Sequence, residues 1–113
     1  MLSKFILIAL TSVSFGSFAV AADDVPSQTG AFLAYCKTNS EGCINKVAEV
    51  SFVMLMGNTG AKKEWCPQAK DVDDVQVLTP KVVQWITAHS ENNNMKTSDG
   101  IKDALIKLFP CKR

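Results

Sequence analysis

The 113-residue sequence holds one histidine, one tyrosine and no Cys-x-x-Cys pair, and its twelve Lys and Arg are offset by eleven Asp and Glu. Each scarcity excludes something. With His89 alone and the four cysteines widely spaced, a zinc site has too few grouped ligands. Without an excess of either charge there is no long-range field to draw the chain onto nucleic acid, so nucleic acid is not an expected partner. Past residue 22 no uncharged apolar run approaches the length of a membrane span. A hydrolase would need a nucleophile with its base, a pair of carboxylates or an open metal position. His89 and the solvated Asp73-Asp74 pair supply none of these, so neither an enzyme nor a cofactor is expected. The 47% apolar content is too high for a disordered chain, and the length fits one small domain.

What is present begins with an export signal. Lys4 supplies the positive start, Phe5 to Leu10 open the apolar core, and Ala19-Val20-Ala21 provides small residues for cleavage after Ala21 or Ala22. Thr11, Ser12, Ser14, Gly16 and Ser17 dilute the second half of the stretch, which argues against a retained anchor and stable membrane insertion. Cleavage removes Lys4, and side-chain charge then balances. A partner must be recognised by shape and local pairing.

Residues 23–28, with Pro26, form a polar lead expected to be mobile, and residues 29–113 form the domain. Thr29 is placed to cap a first helix through Phe32, Leu33 and Cys36, and Asn39-Ser40-Glu41-Gly42 breaks it. A second helix from Cys43 sets Ile44, Val47, Ala48, Phe52 and Leu55 along one face. Val53, Met54 and Met56 make its second half apolar most of the way round, as befits either a central helix or a contact with a second copy. A loop follows over residues 57–65, and residues 72–78 read as extended or one-turn structure. Thr79-Pro80 is a helix start, with Val82, Val83 and Ile86 buried and Trp85 and His89 at the margins. After a polar connector at residues 90–96, Thr97 or Ser98 caps a last helix whose inner stripe is Ile101, Ala104, Leu105, Leu108 and Phe109. The fold class is all-α, a small four-helix domain too slight to rely on its core alone and stapled by two disulfides.

Cys36, Cys43, Cys66 and Cys111 all lie in the exported part, where an oxidising compartment favours disulfides. On one unbroken helix Cys36 and Cys43 would stand about 10 Å apart, beyond disulfide reach. The turn at residues 39–42 allows them to pair, and Cys66 then joins Cys111. Pairings of Cys36 with Cys66 or with Cys111 remain open, because sequence does not fix connectivity.

The order of features, Phe-Leu-Ala-Tyr-Cys36, a Gly-Cys43 opening a helix, Cys66-Pro67, Trp85-Ile86-Thr-Ala-His89 and a terminal Leu108-Phe109-Pro110-Cys111, resembles the Tai-type family of periplasmic immunity proteins. The resemblance covers roughly residues 29 to 111. Lys46, Glu49 and Ser90 stand where that family usually carries Tyr, Gly and Pro. A second segment, Val75-Gln76-Val77-Leu78-Thr79-Pro80-Lys81-Val82-Val83, looks like part of the HdeA-type acid-stress chaperones, also small, periplasmic and helical.

The first resemblance implies a periplasmic protein, often dimeric, that neutralises a peptidoglycan amidase delivered by type VI secretion by occluding its active site. The second implies an acid-stress chaperone as the alternative. An occluding inhibitor needs a rigid frame and a presented segment, because a preordered surface loses little entropy on docking. Two segments qualify. One carries Lys62, Lys63, Glu64 and the aromatic Trp65; the other is the 90–96 tip with Asn93 and Met95. The bland alternative for both is an ordinary solvated connector, with Trp65 turned into the core.

Overall fold

The computed structural model describes residues 24–57 and 64–111; the expected export signal, together with Lys62 and Lys63, lies outside the described residues. Among the described residues four longer helices, α1 (Thr29–Thr38), α2 (Ser40–Gly57), α4 (Val75–Thr87) and α5 (Thr97–Leu108), occur with the five-residue α3 (Ala69–Asp73) and one 3-10 turn (Ser90–Asn92). No strand forms among the described residues, where only two isolated antiparallel bridges occur, Gln28 with Lys96 and Trp65 with Pro110. The domain is all-α, and both disulfides pair as favoured, Cys36 with Cys43 and Cys66 with Cys111.

One residue makes the first pairing possible. Asn39 ends α1, its N–H donating to the Tyr35 carbonyl at 2.9 Å. Its side-chain oxygen then accepts from the Gly42 N–H at 2.9 Å, satisfying an orphan donor in the first turn of α2. A break one residue long thus folds α2 back on α1, and the Cα atoms of Cys36 and Cys43 come within 5.0 Å. The break is narrower than residues 39–42, since Ser40, Glu41 and Gly42 are already helical.

Phe32, Val47, Leu78, Val82, Ile86, Ile101, Ala104 and Leu105 are fully buried where α1, α2, α4 and α5 meet. Three expectations are corrected. The inner face of α2 is Cys43, Val47, Val50, Ser51 and Met54, whereas Phe52 and Leu55 face solvent and Ile44 and Ala48 are half-buried. Cys43 is nearly buried beside its bridge to α1, and steps of four and three from it lead to Val47, Val50 and Met54.

The helix assigned to start at Thr79-Pro80 starts at Val75 instead. Asp74 caps it, its carboxylate accepting from the Gln76 N–H at 3.1 Å, and Pro80 lies inside the helix. Of the residues 72–78 read as extended or one-turn structure, Val75 and Val77 therefore occupy its first turn, and Val72 belongs to α3. Finally, neither Thr29 nor Thr97 or Ser98 is a cap: Gln28 and Lys96 hold those positions without side-chain capping bonds. The two threonines are the first helical residues and serve a longer-range purpose.

Candidate functional site

Thr29 and Thr97 knit three distant segments together. Thr29 donates its N–H to the Met95 carbonyl at 2.9 Å, and its hydroxyl contacts the carbonyls of Met95 and Lys96 at 3.0 and 3.2 Å. Thr97 donates its N–H to Ser27 and its hydroxyl to Pro26, at 2.8 and 2.5 Å. Both side chains are buried, so each bond forms where water does not compete. The end of the lead, the start of α1 and the start of α5 are thereby pinned to one another.

The pinning fixes the 90–96 tip. Its 3-10 turn closes through Asn92 N–H to His89 and Asn93 N–H to Ser90, and Met95 N–H returns to Asn92, each at 3.0 Å. Gly30 donates to the Asn93 carbonyl at 3.0 Å, and a β-carbon at Gly30 would sit 3.1 Å from that of Asn93, so the tip lies close against α1. Asn92 donates to Asp103 of α5 at 2.8 Å, and Asp103 also pairs with Lys107 at 3.2 Å. At the entry to the tip, His89 stacks on Trp85 with ring centroids 3.7 Å apart. Its Nδ1 lies 2.7 Å from the Trp85 carbonyl, so that nitrogen carries the proton and donates. The residues singled out here occupy different settings. Met95 presents its side chain at the surface, while Asn93 is half-buried and its Oδ1 is enclosed without a hydrogen-bond partner.

The other segment is built differently. Glu64 is exposed, but Trp65 is only 5% exposed and packs into the core, in the orientation of the bland alternative. It is held by the chain's end. Cys66 N–H donates to Phe109 at 2.9 Å, and Cys111 N–H donates to Glu64 at 3.2 Å. Thus Glu64 and Trp65 attach to residues 109–111, whereas Asn93 and Met95 attach to α1.

A third surface comes from the outer side of α2. Phe52, Val53, Leu55 and Met56 are 61, 59, 47 and 67% exposed, four large apolar side chains within five residues. A hollow lined by Val53 and Gly57 of α2 and Ser98, Asp99 and Lys102 of α5 borders it. A neighbouring hollow runs from Lys46 to Asn94, Lys96 and Ser98. The apolar face and the tip therefore adjoin the same end of α5. This face follows from helical phasing referenced to Cys43, a signal present in the sequence. The pinning by Thr29 and Thr97 left no local signature, because its acceptors lie about seventy residues away.

Among the described residues no three His, Cys, Asp or Glu side chains gather as metal ligands, and no helix is long and apolar enough to cross a membrane. The arrangement offers contact surfaces: a tied-down polar tip and an apolar helix face. Comparison with curated proteins and with solved structures gives no match. The family model of the Rap1a immunity proteins, a type VI secretion immunity family, matches residues 21–111, which include the whole helical frame and all four cysteines. The chain belongs to the Rap1a immunity protein family.

Proposed function

We propose that this protein works in the periplasm as a non-enzymatic inhibitor of a type VI peptidoglycan amidase, seating its 90–96 tip in the enzyme's cleft so that substrate is shut out. Family membership supports an effector as the partner. The observation that favours the tip is its preorder: backbone bonds to α1, and an Asn92 to Asp103 bond to α5, fix its shape before any partner arrives. A surface ordered in advance spends little entropy on docking. Met95 supplies an apolar contact within a polar rim, the anatomy of a small interface centre.

The test is inhibition of peptidoglycan cleavage by type VI amidases with the wild type and with Met95→Asp. Met95 makes its hydrogen bonds through its main chain, so the substitution removes none of the bonds that hold the tip. Inhibition weakened at least tenfold in the variant, with unchanged helicity, supports the reading. Equal inhibition by both proteins removes the tip from the interface.

Self-association is proposed through the outer face of α2. Four exposed apolar side chains on one helical segment cost solvation free energy that a second copy recovers by covering them.

A further inference from the structure

The two disulfides differ in setting. Cys36–Cys43 lies between α1 and α2, with Cys43 only 3% exposed and Cys36 half-buried. Cys66–Cys111 joins a connector to the chain's end, and Cys66 is exposed. Beneath it Trp65 is buried with its indole N–H lacking an acceptor, a polar group that water would satisfy if the segment lifted. Besides the covalent bond, two backbone hydrogen bonds, Cys66 to Phe109 and Cys111 to Glu64, tie these segments together.

We propose that Cys66–Cys111 is a redox latch that opens while Cys36–Cys43 stays closed. A dithiol is the reductant. Its thiolate attacks the sulfur of Cys66, the more exposed residue of the pair, the S–S bond breaks, and Cys111 leaves as a thiolate that takes up a proton. The dithiol's second sulfur, as a thiolate, resolves the mixed disulfide, and Cys66 departs likewise. Two electrons pass to the protein, which gains two thiols, and the reductant becomes its own disulfide. Residues 64–68 and 109–111 then separate and Trp65 reaches water. The frame of α1, α2, α4 and α5 persists because every buried core residue except Trp65 lies outside the latch. This inference stands independently of the amidase reading.

The oxidised protein is titrated with dithiothreitol, its thiols are trapped by alkylation and mapped by mass spectrometry, and emission is followed in a Trp85→Phe background, where Trp65 alone reports. Cys66 and Cys111 are expected to label at reductant concentrations at least tenfold below those that label Cys36 and Cys43, with a red shift and unchanged helical circular dichroism. Simultaneous labelling of all four cysteines, or earlier labelling of Cys36 and Cys43, overturns the proposal. So does reduction with no red shift. The paired variant Cys66→Ser with Cys111→Ser is expected to stay helical with the red-shifted emission; its global unfolding would make the bond a structural staple and no latch.

Discussion

Gly100 of α5 lies against Thr29 of α1 so closely that a β-carbon at position 100 would stand 2.8 Å from the Thr29 Cγ2 and overlap its hydroxyl. Thr29 cannot give way easily, because it is fully buried, β-branched and bonded through its hydroxyl to the carbonyls of Met95 and Lys96. Gly100→Ala is therefore expected to cost about 2 kcal/mol or more, despite alanine's better helix propensity. Thr29→Ala in that background recovers part of the loss. Denaturant midpoints check both, and an unchanged midpoint for Gly100→Ala contradicts the close packing.

Thr97→Val removes the hydroxyl that donates to Pro26 and keeps a branched side chain of similar size. A loss of about 1–2 kcal/mol is expected, since a carbonyl loses its donor in a buried setting. Hydrogen exchange at residues 27–30 rises with it. Unaltered exchange would show that the lead is held by other contacts.

Pro80 sits inside α4 and has no N–H to offer the Gln76 carbonyl four residues back. Pro80 is exposed and is not among the buried core residues. Pro80→Ala is expected to raise stability by about 1 kcal/mol or more, read as a higher thermal midpoint. A lower midpoint would mean that the proline shapes α4 for a reason outside helix energetics.

These positions also show what a single sequence discloses. The Cys36 to Cys43 bridge was legible because an unbroken helix would hold cysteines seven positions apart too widely, and residues 39–42 read as the break that was needed. Val83, expected to be buried, is half-buried, as are Leu108 and Phe109 of the expected stripe, whereas the burial of Ile101, Ala104 and Leu105 and of Val82 and Ile86 followed from spacing alone. The start of α4 did not, because Thr79-Pro80 has the composition of a helix opening, while the actual cap, Asp74, precedes valines that favour extended chain. The face of α2 was misphased because apolar residues surround its second half, so Phe52 and Leu55 fit a stripe as well as Val50 and Met54 do. Of the proposed contact segments, the tip's position on α1 depends on partners far along the chain, which no local pattern records.

The outer face of α2 provides a separate test of self-association. Phe52→Lys combined with Met56→Lys places two charges on exposed positions and disturbs no buried contact. Circular dichroism is expected to be unchanged, and sedimentation is expected to shift from dimer to monomer. A wild-type protein that sediments as a monomer at every concentration would count against the proposed pairing.

The most direct measurement is the rate at which type VI amidases cleave peptidoglycan as the oxidised protein is titrated in. The account predicts that one amidase loses its activity at close to equimolar protein, and that Met95→Asp moves the endpoint to at least tenfold higher concentration. Full cleavage across the amidase class at a tenfold molar excess of the wild-type protein would contradict it.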